Sequence, residues 1–285
     1  MKVFGARQIR LAKSLGDKIV KHNPGKNIDS KKNTIRELIE FINNLAYLIH
    51  TNGHIILFVI NNKKYLLRTE LLDSAVSTLK TINFCLQECH IGDAYTLIRK
   101  YRDDIFLYLY FIECESEKDL FRLEPTLHER NIEKWFRNEL DDLHISQITK
   151  YILTNKIIEK LVNKFNLKSN WDKISKDLNN YVHTNGQKYA RQNYQYKNKK
   201  CDDIKIEIYH ILKFITVVAI SIMILIKPQF ISSTDYLDSL EVGIVPEEGS
   251  QYYIAPFVSD FIIKYIKDFD DNMVAFLKKA VFMKI

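Results

Sequence analysis

Apolar residues recur every three or four positions over most of this chain, which is the spacing of one face of an α-helix. The pattern is clearest from about residue 69, where it includes Leu71, Leu72, Ala75, Leu79, Ile82 and Leu86. A second long helix is expected from Ala94 to about Glu113, with Asp93 as its N-cap and the charged run 113–118 at its end. The pattern therefore predicts a mainly α protein built as a helical bundle.

The same spacing predicts helices before and after this pair. Their expected ranges are 31–50, 130–143, 146–166 and 170–184, with a terminal helix that begins at Pro256. Ser169 and Asn170 are the candidate N-caps of the helix at 170–184. The tetrad His-Thr-Asn-Gly occurs at 50–53 and at 183–186, and we interpret it as two helix ends closed by a left-handed glycine.

One short segment departs from the helical pattern. Residues 54–60 form an apolar run, Asn61 and Asn62 follow, and residues 63–68 form a second short run. Asn tolerates the positive φ of a tight two-residue turn. We therefore expect a small β-hairpin near 54–68.

The most apolar segment is 214–226, and counting back to Tyr209 gives eighteen residues that include His210 and Lys213. A bilayer span takes about 20 predominantly apolar residues. A buried central helix at 209–226 is therefore favoured, and a membrane anchor is the less favoured alternative.

Composition supports a folded helical protein. Of the 285 residues, 46% are hydrophobic and 27% charged, which excludes an intrinsically disordered chain. The 8 Gly and 5 Pro are too few for a turn-rich all-β sandwich. No phosphate-binding glycine loop, Gly-x-Ser-x-Gly elbow or His-Glu-x-x-His pair occurs, which argues against nucleoside triphosphatases, serine hydrolases and zinc peptidases.

The net charge of +7 is divided among segments. Residues 1–36 hold ten Lys and Arg against two Asp, a net of +8, whereas residues 231–260 hold six acids and no Lys or Arg. Residues 4–21 place apolar side chains on one side of a helix and basic ones on the other. We expect this helix to dock on the core, and a face for nucleic acid or anionic lipid is the alternative.

Residues 187–200 interleave five basic residues with three Tyr and contain no acid. Such a mixture suits single-stranded nucleic acid, whose phosphates attract cations and whose bases stack on aromatic rings. A solvated loop between helices is the alternative. The candidate nucleic-acid contacts are Lys188, Arg191, Tyr194, Tyr196, Lys197, Lys199 and Lys200.

The cysteines do not indicate a metal site. Cys85 and Cys89 share a helix face, but His90 is the only further ligand near them, so we expect small buried side chains, no metal and no cofactor. Reduced thiols and the lack of a signal-peptide pattern predict a cytoplasmic protein.

A first candidate site lies at 99–104, where five charges occur within six residues of an otherwise apolar helix. Arg99 and Asp103 share a face, and Arg102 lies beside them. Such charges are costly to bury unpaired, so they form a structural ion-pair network or border a cleft.

A second candidate site lies at the end of the helix at 170–184. Asn179 and His183 are four residues apart and share a face. The helix dipole favours an imidazolium ion at this end, which suits acid–base chemistry, and a capping role is the alternative.

These two sites resemble a known superfamily. Leu-Ile-Arg-Lys-Tyr-Arg-Asp-Asp-Ile-Phe-Leu-Tyr-Leu-Tyr-Phe at 97–111 and Leu-Asn-Asn-Tyr-Val-His-Thr-Asn-Gly at 178–186 resemble uncharacterised bacterial proteins. Their helical cores look like HEPN (higher eukaryotes and prokaryotes nucleotide-binding) domains. HEPN domains are helical bundles, and many are metal-independent ribonucleases of toxin and anti-phage defence systems. The resemblance covers about 70–186.

The resemblance implies roles for particular residues. His183 matches the His of the HEPN motif Arg–four to six residues–His, and Asp103 or Asp104 matches its acidic partner. Asn179 stands in the place of the motif Arg, so Arg102 or Arg99 would supply the positive charge. The implied reaction is attack of a ribose 2′-OH on the adjacent phosphorus, with His183 as acid–base.

The expected organisation is a basic N-terminal helical region at 1–68, a HEPN-like core at 69–186 and a C-terminal region at 187–285. The expected function is RNA binding or metal-independent RNA cleavage, and the expected partners are RNA, a second copy of the chain, and an antitoxin or defence protein. The alternative is a non-catalytic interaction protein, with membrane association through 209–226 less favoured.

Overall fold

Helices form nearly all of the regular structure in this computed structural model, which describes residues 29–118, 124–140, 143–187, 189–190 and 200–285. In chain order the elements are α1 (Asp29–Thr51), β1 (Ile56–Ile60), β2 (Lys63–Leu67), α2 (Glu70–Gln87), α3 (Ile91–Ser116), α4 (Leu127–Phe136), α5 (Ile145–Ile152), α6 (Lys156–Lys164), α7 (Leu167–Val182), α8 (Lys200–Ile226), α9 (Asp235–Glu241), α10 (Pro256–Phe261), α11 (Lys267–Phe269) and α12 (Asp271–Ala280). A π-helical turn, Ile262–Ile266, joins α10 to α11. The mainly α prediction is confirmed.

The two strands form the predicted hairpin. They pair antiparallel, with Ile56 opposite Leu67 and Ile60 opposite Lys63. Asn61 and Asn62 have φ values of 50° and 61°, the left-handed conformation that a two-residue hairpin turn requires.

α3 lies at the centre of the bundle, where α2, α5, α7 and α8 pack against it. Between Ile105 and Ile112 nearly every side chain is buried, because apolar and aromatic residues occupy all sides of the helix there. The Tyr101 hydroxyl lies 2.7 Å from Thr216 Oγ1, and this buried hydrogen bond joins α3 to α8.

The apolar segment of α8 also lies in the interior. Phe214, Ile215 and residues 217–220 are buried. By length and composition alone the part of α8 from residue 202 to 226 could cross a membrane, but 72% of its most apolar window is buried inside the protein. The helix ends before Pro228, as predicted.

The predicted helix at 146–166 was wrong in one respect, because it is interrupted. α5 ends at Ile152 and α6 begins after Asn155. The Asn155 side chain accepts hydrogen bonds from the backbone N–H groups of Ile157 and Ile158, which caps a new helix. A capping box of Thr126 and Glu129 likewise starts α4 before residue 130.

Two predicted N-caps were also wrong. Cys89, with φ 60°, turns the chain just before α3, so Asp93 lies within the first turn of that helix. Asn166, with φ 49°, does the same before α7, and Ser169 and Asn170 lie inside its first turn. Both turns use left-handed backbone, which apolar periodicity does not reveal.

The two His-Thr-Asn-Gly tetrads end α1 and α7, as predicted, but a left-handed glycine closes only the first. Gly53 takes the left-handed conformation after α1, with φ 68°. After α7 this conformation is taken by Thr184, with φ 50°, two residues before Gly186. The basic helix predicted at 4–21 lies outside the described residues.

Candidate functional site

α3 and α7 lie side by side and run in opposite directions. Near the start of α3, the Tyr95 ring stacks on Tyr181, with centroids 3.8 Å apart and planes 3° apart. Eleven residues later on α3, Phe106 contacts Trp171, with centroids 4.3 Å apart. The residue number falls on α7 as it rises on α3, so the pair is antiparallel. This packing brings the two candidate sites onto neighbouring helices.

Arg102 lies between these two contacts and is completely buried, with 0% of its surface exposed. Its Nε and Nη2 atoms lie 2.8 and 2.7 Å from Asp103 Oδ1, and Nη1 donates to Ser175 Oγ at 3.0 Å. The guanidinium carbon lies 5.8 Å from the centre of the Trp171 ring. Burial lowers the pKa of Arg102 from its ordinary value, and the Asp103 carboxylate opposes this change. Arg102 therefore joins α3 to α7.

The other charged side chains of residues 99–104 form two separate ion pairs. Asp103 Oδ2 lies 3.7 Å from Arg99 Nε on the α7 side. Asp104 pairs with Lys100 at 2.5 Å and accepts a hydrogen bond from Ser74 of α2 at 2.8 Å. Asp103 thus pairs with the arginines that face α7, whereas Asp104 contacts α2. Residues 99–104 therefore form an ion-pair network, part of which is exposed at the surface.

Residues of α3, α5, α7 and α8 line a cleft of about 710 Å³ next to this network. Its polar lining includes three cations, two carboxylates and two amides, namely Arg99, Lys168, Lys176, Asp103, Asp172, Asn179 and Asn180. Its apolar lining includes Phe106, Leu153, Trp171, Val218 and Ile222. A flat apolar group with an attached anion fits such a lining.

The structure brings three of the five predicted catalytic residues to this cleft. Arg99, Asp103 and Asn179 line it, whereas Arg102 is buried among its partners below. His183 is exposed, does not line the cleft, and follows the last residue of α7 as its C-cap. Arg102 lies beside Ser175, and His183 is eight residues further along the chain, about 12 Å along a helix axis.

His183 nevertheless comes shortly after the part of α7 that lines the cleft. Its backbone N–H donates to the Asn179 carbonyl at 3.0 Å, so the two residues are one helical turn apart. Asn180 beside them donates to the Tyr189 hydroxyl at 3.2 Å, and the Tyr189 ring meets Tyr181 edge-on at 4.8 Å. The end of α7 thus combines an imidazole, two amides and a group of tyrosines.

Most of the predicted nucleic-acid contacts are not described by the structure. Lys188, Arg191, Tyr194, Tyr196, Lys197 and Lys199 lie outside the described residues, and Lys200 is the first residue of α8. Their role stays a prediction.

Sequence analysis missed a buried carboxyl group. Glu113 is 0% exposed, and its Oε1 accepts a hydrogen bond from Asn155 Nδ2 at 2.9 Å. Oε2 has no hydrogen-bond partner among the described residues, and burial raises the Glu113 pKa to about 7. The neighbouring Glu117 carboxylate also raises it. The available signal was the four-residue spacing from Leu109, which places Glu113 on a buried face.

Within the described ranges, no group of three or more His, Cys, Asp and Glu side chains is placed to hold a metal ion. Cys85 and Cys114 are buried, and Cys89 is half-buried.

Comparison with protein-family models, with curated proteins and with solved structures finds no match to this chain. The HEPN-like resemblance therefore stays a prediction.

Proposed function

We propose that this protein binds single-stranded RNA along α7 and in the adjoining cleft, on a HEPN-like helical core. The observation that carries the proposal is the lining of the cleft, which combines Arg99, Lys168 and Lys176 with apolar side chains that include Trp171. Cationic side chains attract phosphates, and aromatic and apolar surfaces receive unstacked bases. Asn179 adds an amide that can donate to and accept from a base edge.

RNA cleavage extends this proposal to His183. A strand that leaves the cleft along α7 passes Asn179 and reaches His183 one turn later. His183 takes the proton of a ribose 2′-OH, and that oxygen attacks the adjacent phosphorus. The bond to the 5′ oxygen breaks, and a proton from an imidazolium or water completes the leaving hydroxyl. The products are a 2′,3′-cyclic phosphate and a 5′-hydroxyl, and no metal takes part.

Arg99 is the cation assigned to the negative charge that builds up during this attack. It lines the cleft, whereas the hydrogen bonds of Arg102 are directed to Asp103 and Ser175. Because His183 lies beyond the cleft that Arg99 lines, the proposal includes a homodimer in which the strand passes between two copies. A cytoplasmic role in defence or as a toxin belongs to the same proposal.

RNA binding is tested by fluorescence anisotropy with a labelled single-stranded RNA. The variant Arg99→Gln/Lys176→Gln is expected to bind about tenfold more weakly, because two phosphate contacts lose their charge. Lys80→Gln/Lys134→Gln removes two exposed lysines that line no part of the cleft and is the matched control. Equal affinity of the two variants would contradict the proposed site.

Cleavage is tested separately, by incubating RNA with the protein in EDTA. Wild type is expected to release fragments with cyclic phosphate ends, and His183→Ala is expected to release none. His50→Ala is a matched control, because His50 belongs to the other His-Thr-Asn-Gly tetrad and is also exposed. Cleavage by both His variants, or by none of the three proteins, would contradict the catalytic assignment and leave RNA binding to its own test.

A second candidate function is a non-catalytic interaction protein. The complete burial of Arg102 favours it, since this arginine serves the packing of α3 on α7. This function predicts that RNA affinity and RNA cleavage are at background level. Substitutions at Arg99, Arg102 or Asp103 would then change the stability of the protein alone.

A further inference from the structure

A second basic surface lies away from the cleft, in a groove between α6 and α12. The groove has a volume of about 740 Å³. Its lining includes Lys160, Asn163, Lys164, Asn272, Phe276 and Lys279. No carboxylate lines it among the residues that the structure describes.

Helical spacing explains why these residues face each other. Lys160 and Lys164 are four residues apart, so both lie on one side of α6. Asn272, Phe276 and Lys279 follow at intervals of four and three on one side of α12. The two helices are in contact, so these two polar faces become the walls of one groove.

The lysine at the centre of the groove is held by aromatic rings. Lys164 Nζ lies 5.4 Å from the centre of the Phe165 ring and 5.6 Å from that of Phe276. The two rings meet edge-on, with planes 88° apart. Cation–π contacts position an ammonium group without neutralising its charge. Lys164 is therefore oriented and still able to bind an anion.

The groove lysines have no acidic partner among the residues that the structure describes. Lys160, Lys164 and Lys279 form no ion pair within the described ranges of the chain. The neighbouring carboxylate on α6, Glu159, is 3.1 Å from Lys156 and is paired with it. Three unpaired cations in a concave surface produce a positive potential that attracts a polyanion.

We propose that this groove binds the phosphate backbone of single-stranded RNA, as a second contact for a strand whose other part occupies the cleft. The inference rests on the proposed RNA-binding function and assigns to it a surface outside the cleft. Lys164 is the last residue of α6, and Lys168, four positions later, lines the cleft. The groove and the cleft are therefore connected by a short stretch of chain, and in the proposal one strand contacts both.

The shape of the groove favours RNA over an anionic membrane. Its lysines line a hollow between two helices, which a flexible strand can enter and a flat bilayer cannot. The Asn163 and Asn272 amides and the half-buried Phe276 ring add hydrogen-bonding and stacking partners for nucleotides.

The test compares the salt dependence of RNA affinity for two triple variants. Lys160→Gln/Lys164→Gln/Lys279→Gln removes the groove charges, and Lys63→Gln/Lys80→Gln/Lys134→Gln removes three exposed lysines that line neither cavity. Binding of a labelled oligouridylate of about 24 nucleotides, longer than a single-domain site, is measured over a series of salt concentrations.

The groove variant is expected to reduce the slope of log affinity against log salt by about 2, because each phosphate contact to a single strand contributes about 0.7. The control variant is expected to keep the wild-type slope. A groove variant with wild-type slope and affinity would overturn the inference, even if its binding to anionic vesicles were reduced. In that case the cleft variant Arg99→Gln/Lys176→Gln still tests the proposed function alone, and a wild type without measurable RNA affinity overturns both.

Discussion

Two charged side chains of α3 are completely buried, and their surroundings give them different properties. The Arg102 guanidinium is paired with the Asp103 carboxylate and hydrogen-bonded to Ser175. The Glu113 carboxyl group receives one hydrogen bond, from Asn155, and has no cation within bonding distance among the described residues. Arg102 is therefore stable as an ion, whereas Glu113 is favoured in its neutral form.

Replacing Arg102 by Ala is expected to lower the free energy of unfolding by about 3 kcal/mol, because it leaves a cavity and removes the hydrogen bond to Ser175. Arg99→Ala is the matched control. Arg99 is partly exposed in its ion pair, so its loss is expected to cost about 1 kcal/mol or less. Urea unfolding of both variants measures the difference. Similar small losses would show that Arg102 does not join the two helices.

Glu113 is expected to make stability depend on pH. Its folded-state pKa of about 7 lies above the ordinary value of 4.5, so the folded protein binds this proton more tightly than the unfolded chain. The resulting stabilisation is fully present below pH 4.5, declines as the pH rises, and is lost above about pH 7. It amounts to about 3 kcal/mol at most.

The comparison that reveals this effect is with Glu113→Gln, which is neutral at every pH. Unfolding free energies of wild type and variant are measured from about pH 5 to about pH 8. Wild type is expected to lose stability relative to the variant over that interval. A constant difference between the two proteins would mean that Glu113 is ionised throughout.

The helices follow local patterns, and their ends follow local chemistry. α5 and α6 are separate because Asn155 caps a new helix in the middle of a continuous apolar pattern. The same side chain donates to Glu113, so a helix start and a buried carboxyl group are supported by one amide. At the hairpin, by contrast, the turn residues Asn61 and Asn62 and the apolar runs on either side of them agreed, and the prediction was correct.

Asn155→Ala is expected to lower the free energy of unfolding by about 2–3 kcal/mol, since it removes a cap and leaves Glu113 Oε1 without its donor. Asp270→Ala is the control. Asp270 caps α12 through a 2.8 Å bond from Asn272 and has no buried partner of this kind. Its loss is expected to cost about 1 kcal/mol. Equal losses, measured by urea unfolding, would contradict the double role of Asn155.

The molecule is held together by one hydrophobic cluster that includes residues from α1 to α12. α8 passes through this cluster, and its Thr216 hydroxyl is bonded to Tyr101 of α3. Ion pairs between distant segments lie at its edge, such as Lys264 with Glu37 at 2.7 Å and Lys213 with Asp268 at 2.6 Å. Most of the apolar surface of α8 is covered by protein.

Cell fractionation tests whether the protein is associated with a membrane. A helix whose apolar surface is already covered has little surface left for lipid, so we expect recovery in the soluble fraction without detergent. An integral membrane protein of the same cells, followed in the pellet, is the control. Release from the pellet by detergent alone would favour membrane association through α8.

Local sequence determined the elements of this protein. Apolar periodicity, the Asn61–Asn62 turn and Pro228 predicted most of the helices and the hairpin, because each depends on neighbours in the chain. Only tertiary packing decided that Arg102 is buried, that His183 is exposed beyond the cleft, and that Glu113 is buried with Asn155 as its hydrogen-bond donor. These properties depend on residues from other helices, which set the local dielectric and the hydrogen-bond partners of each side chain.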